Sequence, residues 1–230
     1  MTDREASARP ALRLKICGLT QPEQARAIAA LGVDAIGMIA VAGSPRRVEV
    51  DQAAALCWAV QSTAARAARV LVLADADDRA ISAHLDAPAN RRPTHLQLHG
   101  HETRQRCRAL RQRFELPLWK ALRIRSAEDL RRCDAFSGVV EALLLDAYDP
   151  AALGGTGHCI PMDWFEGFRP PRHWWLAGGM TPGRVRPAIR SLDAMGLRPS
   201  GIDACSGVEC RAGVKDLART ALLRQAVTNS

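Results

Sequence analysis

Leu14-Lys15-Ile16-Cys17-Gly18-Leu19-Thr20 is a short apolar run that stops at a polar, glycine-bearing turn. The same arrangement returns along the chain. It recurs at Gly43-Ser44-Pro45-Arg46, Gln97-Leu98-His99-Gly100, Asp146-Ala147-Tyr148-Asp149-Pro150, Gly154-Gly155-Thr156-Gly157, Ala177-Gly178-Gly179-Met180-Thr181-Pro182 and Asp203-Ala204-Cys205-Ser206-Gly207-Val208-Glu209. Where strands run parallel, such turns fall at their C-terminal ends. In a closed barrel those ends share one face, and that face is where active sites are built. The pattern therefore predicts one site assembled from the whole length of the chain.

Working outward, the apolar runs predict strands at Leu12–Ile16, Ala35–Ile39, Arg69–Leu73, His95–Leu98, Leu118–Ala121, Leu143–Leu145, Trp174–Leu176 and Gly201–Ile202. Each is short and bounded by turn residues, as parallel-sheet strands often are. Helix-period stretches lie between them: Pro22–Leu31 with Thr20 as N-cap, Asp51–Val60, Asp77–Leu85, Glu102–Phe114, Ser126–Cys133 with a capping-box-like Asp129, Pro182–Ser191 and Val214–Ala226. Pro161–Phe168 carries the weakest helical signal. Strict alternation implies parallel strands with right-handed crossovers. Eight such units in 230 residues point to a single α/β domain, a (β/α)₈ TIM barrel over residues 11–230, preceded by a flexible tail at 1–10. A doubly wound open sheet is the main rival, but no G-x-G-x-x-G is present.

Composition narrows the function. Hydrophobic residues make up 47% of the chain, enough for a substantial core, and the formal net charge is +8. The arginines that supply it are scattered in short clusters, Arg91-Arg92, Arg111-Gln112-Arg113 and Arg131-Arg132, and only 4% of residues are aromatic. A nucleic-acid footprint would be concentrated and interleaved with aromatics, so no nucleic-acid partner is expected. The basic balance suits an anionic small substrate. Seven cysteines without a C-x-x-C pair argue for reduced thiols and against a metal site. No secretory core or apolar run of membrane-spanning length appears, so a soluble, cytoplasmic protein without a membrane partner is expected.

The candidate site residues follow from strand ends. Cys17 closes the first strand, two residues after Lys15 and on the same face, and a nearby cation lowers a thiol's pKa. Asp146 ends an apolar strand, where a carboxylate must be paired or functional; burial there favours the protonated form a general acid needs. Gly178, Gly179, Ser206 and Gly207 follow the last two strands, where barrels usually bind phosphate. Arg46 offers a guanidinium to a carboxylate. His99 reads as a structural histidine, since no partner carboxylate is identifiable.

Together these segments resemble the phosphoribosylanthranilate isomerase family. The matching stretches are Lys15–Thr20, Ser44–Arg46, Gln97–Gly100, Leu145–Ala147, Gly154–Gly157, Ala177–Pro182, Asp203–Glu209 and Gly213–Asp216, in order and at compatible spacing. The resemblance implies a barrel without metal or cofactor, monomeric or homodimeric, acting on a phosphorylated small molecule. It implies an Amadori rearrangement with Asp146 as general acid and Cys17 as general base. Arg46 would face the anthranilate carboxylate, Asp203 would contact substrate, and the backbone at Gly178, Gly179, Ser206 and Gly207 would hold phosphate. The chain departs from the family pattern at Ile39–Gly43, at His158–Trp164 beside an expected lid, and at Cys205, where a small polar residue is usual. A related phosphosugar barrel with another substrate, or a basic binding protein, are the alternatives.

Overall fold

The apolar runs form eight strands in a computed structural model, which describes residues 10–64, 66–148, 158–170 and 173–230. The strands are β1 (Arg13–Ile16), β2 (Ala35–Ile39), β3 (Ala68–Leu73), β4 (His95–Leu98), β5 (Leu118–Ile124), β6 (Ala142–Ala147), β7 (Trp174–Leu176) and β8 (Gly201–Ala204). Each pairs in parallel with the next, and β8 pairs in parallel with β1, closing the barrel. The expected (β/α)₈ fold is therefore present. The expected tail falls largely, and the Gly154–Gly157 turn wholly, outside the described residues.

Side chains alternate between two layers, as strand geometry requires. One set faces the helices and joins Leu14, Ile16, Ile36, Leu71, Leu143, Leu145 and Ile202 to helix residues such as Ile28, Leu56 and Ile189. The other set fills the barrel: Ala35, Val70, Trp119, Ala121, Ala142, Leu144, Trp175 and Ala177. Trp119 and Trp175 stack there with ring centroids 5.0 Å apart, and the Arg13 guanidinium lies over Trp175. The interior is thus a packed plug, with Arg13 and His95 against it at the N-terminal end of the strands and the site's polar groups at the C-terminal mouth.

The connecting helices are α1 (Pro22–Ala30), α2 (Val50–Gln61), α3 (Asp78–Leu85), α4 (Arg104–Phe114), α5 (Pro182–Ala194) and α6 (Leu217–Thr228). Several boundaries differ from expectation, each for a local reason. Gln21, not Thr20, stands at the N-cap of α1, because the Thr20 hydroxyl donates to the Gly213 carbonyl at 2.8 Å. Thr103 caps α4 by accepting from Arg106 N–H, which leaves Glu102 outside the helix and buried. Ala127–Phe136 is 3₁₀ rather than α-helical; Ser126 makes no side-chain cap, and Asp129 accepts from Arg125 N–H instead. Met162–Phe165 is likewise a short 3₁₀ turn. Val214–Lys215 is not helix but a strand, β10, paired antiparallel with β9 (Glu209–Arg211), and α6 begins only after the Asp216 cap. This hairpin folds back over the mouth from β8.

Candidate active site

Inward alternation at the strand ends collects the polar residues. Lys15 and Cys17 come from β1 and its exit, Asp146 from β6, Asp203 and Cys205 from β8 and its exit, and His99 follows β4. Cys17 is 5% exposed and Asp146 8% exposed, so both meet solvent only through the mouth. Room for the Cys17 sulfur comes from Gly37 on the neighbouring strand, where a Cβ would lie 2.6 Å from that sulfur.

Asp203 organises the floor of the site. It accepts from the Lys15 ammonium at 2.9 Å, and both side chains are buried. Burial alone would pull the Lys15 pKa down, but the Asp203 carboxylate beside it wins and holds it above the ordinary lysine range. Asp203 also lies within electrostatic reach of Asp146, His99 and Cys17, which places the acid and the thiol around one space. The expectation that Lys15 lowers the Cys17 pKa is corrected here. The Cys17 thiol sits against Cys205 and is buried, and these two effects outweigh the pull of Lys15, whose charge is already engaged by Asp203. The thiol is pushed well above its ordinary value.

Asp146 is the penultimate residue of β6, in register with Arg123 of β5. His99 Nε2 lies 3.4 Å from Asp146 Oδ2, so the histidine does have a carboxylate neighbour, contrary to expectation. That nitrogen is buried and makes no aligned hydrogen bond. Arg123 donates to the His99 carbonyl at 3.2 Å, which brings a second guanidinium to the mouth beside the carboxylate.

Arg46 is held on one edge. Its Nε donates to Glu209 Oε1 at 2.9 Å and its Nη2 to Oε2 at 2.7 Å, a bidentate pair that raises the Arg46 pKa. Glu209 also accepts from Lys215 Nζ at 2.7 Å and from Gly213 N–H at 3.1 Å. Burial works against the Glu209 carboxylate, but Arg46 and Lys215 together hold its pKa below the usual range. Lys215 Nζ further donates to the Cys205 carbonyl at 3.1 Å. Glu209 and Lys215 thus fix Arg46 and the β8 turn. They stand in the Asp203–Glu209 and Gly213–Asp216 motifs, but spacing alone gives no sign that the two motifs meet.

The turns after β7 and β8 press together. Ser206–Val208 is a single 3₁₀ turn, and a Cβ on Gly207 would overlap the Met180 carbonyl oxygen. Gly178 (φ 84°) and Gly179 (φ 59°) hold left-handed conformations, and a Cβ on Gly178 would lie 2.7 Å from Ala147 N. The four glycine- and serine-bearing positions therefore form one continuous backbone ledge between β6 and β8. Acid, thiol, anchored guanidinium and backbone ledge share one mouth, a set suited to proton transfer on an anionic substrate.

Residues 14–226 match the family described as N-(5'phosphoribosyl)anthranilate (PRA) isomerase. The chain is similar to the N-(5'-phosphoribosyl)anthranilate isomerase of Synechococcus elongatus, with 47% identity over 221 residues, 95% of this chain and 98% of that one. It is also similar to the solved phosphoribosyl anthranilate isomerase of Thermus thermophilus, with 29% identity, a TM-score of 0.76 and coverage of 95% and 99% of the two chains. A phosphoribosyl anthranilate isomerase solved with reduced 1-(o-carboxyphenylamino)-1-deoxyribulose 5-phosphate is 25% identical, with a TM-score of 0.71 and coverage of 95% and 100%.

Proposed function

The chain belongs to the N-(5'-phosphoribosyl)anthranilate isomerase family, and from that premise we propose that Asp146 is its general acid and Cys17 its general base. The reaction is the Amadori isomerisation of tryptophan biosynthesis, in which a phosphoribosylated anthranilate becomes 1-(2-carboxyphenylamino)-1-deoxyribulose 5-phosphate. Asp146 gives its proton to the ribose ring oxygen as the C1–O bond breaks, and the anthranilate nitrogen forms the C1=N bond. Cys17, whose raised pKa makes its thiolate scarce but strongly basic, takes the C2 proton in that form, and the electron pair moves into C1=C2 to leave an enolamine. That species tautomerises to the ketone. Substrate and product are isomers, so no external redox equivalent or transferred group enters, and we read the step as cofactor-independent.

The observation that carries this reading is a buried carboxylate on β6 and a buried thiol at the exit of β1, each within electrostatic reach of Asp203. We assign the anthranilate carboxylate to the edge of Arg46 that Glu209 leaves open. The phosphate goes to the ledge of Gly178, Gly179, Ser206 and Gly207. Asp203, through Lys15, keeps the floor polar beneath the sugar. No helix among the described residues is long and apolar enough to cross a membrane. The seven cysteines are all unpaired, which fits the reducing cytoplasm as the place of action.

Loss of the substrate's fluorescence, measured on freshly generated phosphoribosylanthranilate, tests the assignment. Asp146→Asn is expected to lower kcat by about 10²–10⁴-fold, the range of a lost general acid, while the reduced product analogue still binds. Cys17→Ser is expected to fall by a similar factor. A wild-type kcat in either variant refutes the role given to that residue.

A further inference from the structure

Cys17 and Cys205 are neighbours across the seam that closes the barrel. The β1–β8 register pairs Lys15 with Asp203 and Ile16 with Ala204, so the next pair along is Cys17 and Cys205. Cys17 N–H donates to the Ala204 carbonyl at 2.9 Å, which carries the ladder up to that pair. A Cβ on Gly18, the residue after Cys17, would lie 3.0 Å from the Cys205 sulfur, so that sulfur packs against the β1 exit. Adjacent strands lie about 4.7–4.9 Å apart, within the roughly 4.4–6.8 Å Cα separation that a disulfide spans. Each thiol also shifts the titration of the other, as close neighbours do.

The pair is chemically unequal. Cys205 Sγ is 3.8 Å from Lys215 Nζ and also feels Arg46, while Glu209 opposes them. The Cys17 hydrogen bond, followed by those two cations, brings Cys205 down to about 7 against the effect of burial. The fully buried Cys57, Cys107 and Cys133 are pushed up instead, chiefly by burial. Cys205 is only partly buried, at the rim of the mouth. A reactive sulfur that a small oxidant can reach therefore stands next to a second thiol that can resolve it.

We propose that Cys17 and Cys205 form a dithiol modification site that closes to a disulfide on two-electron oxidation by hydrogen peroxide. The Cys205 thiolate attacks the peroxide: an S–O bond forms, the O–O bond breaks, and hydroxide leaves to take up the proton Cys205 had lost. The Cys17 sulfur then attacks the sulfenic sulfur. The S–S bond forms, the S–O bond breaks, and a second water departs with the Cys17 proton. Two thiols are oxidised and one peroxide becomes two waters. An external dithiol reverses the bond by exchange. Formation of the bond is independent of the catalytic assignment; the loss of turnover on closure rests on Cys17 being the base.

The test treats the full chain with hydrogen peroxide, alkylates it in denaturant and maps its peptides by mass. The expected result is a linked pair containing Cys17 and Cys205 that disappears with dithiothreitol. Turnover should fall in proportion to the linked fraction and return on reduction. In Cys205→Ser the link should be absent and turnover should resist peroxide, because the reactive thiolate is gone and the buried Cys17 thiol that remains is held protonated. Wild-type protein carrying Cys17 only as sulfinic or sulfonic acid, with no linked pair, overturns the proposal. A linked pair with undiminished turnover upholds the disulfide and contradicts Cys17 as the base.

Discussion

Glu209 shows how much one side chain organises at this mouth. Its carboxylate takes three hydrogen bonds from Arg46, one from Lys215 and one from Gly213 N–H. Its pKa is lowered in the folded chain, so its contribution to stability is whole above the unfolded glutamate value of about 4.3. That contribution is lost as pH falls through the lower folded value. Urea midpoints followed from about pH 5 down to about pH 3, a window bracketing that glutamate value, should therefore decline more steeply in wild type than in Glu209→Gln. Equal slopes would contradict the charged network. At this scale the sequence is partly legible. Asp146 and Cys17 stand out because a charge or a reactive thiol at the end of an apolar strand needs a reason. The pairing of Lys15 with Asp203 and of Cys17 with Cys205 is not legible, because each pair is separated by 188 positions in the chain and meets only when β8 closes on β1.

Among elements, the strands that sequence shortens are those that carry the site. The apolar run of β5 ends at Ala121, yet the strand continues to Ile124 and presents Arg123. The run of β6 ends at Leu145, yet the strand reaches Ala147 through Asp146. The run of β8 ends at Ile202, yet the strand includes Asp203. Hydrophobic pattern marks where a strand is buried on both faces, and it stops where the inner face becomes the mouth. Glu102 is misplaced for a related reason. As an acidic residue before a helical stretch it reads as first-turn helix, whereas it is buried and ties two loops. It accepts from Asp75 N–H at 2.8 Å, Gly100 N–H at 3.0 Å and Lys120 Nζ at 2.9 Å. Lys120→Met should leave that carboxylate without its cation and cost about 3–5 kcal/mol of unfolding free energy, read from urea denaturation. Lys120→Met with Glu102→Gln should recover part of the loss. A single variant as stable as wild type would show that the pair does not hold the β3 and β4 turns.

For the whole molecule, alternation of apolar runs with helix-period stretches was enough to predict eight parallel strands, since each unit repeats the same local rule. Closure is what turns those units into an enzyme. It brings the first and last strands together and sets Lys15 on Asp203. It also encloses Trp119 and Trp175 as a plug beneath the polar mouth. The central claim is a division of labour across that mouth, with β6 supplying the proton that opens the ring and β1 removing the proton at C2. Substrate carrying deuterium at ribose C2 tests it most directly, through the isotope effect on kcat in two variants. Cys17→Ser slows proton removal and should show a large primary effect. Asp146→Asn slows ring opening and should show an effect near unity. Equal effects in the two variants, or the larger effect in Asp146→Asn, would contradict the assignment of acid and base.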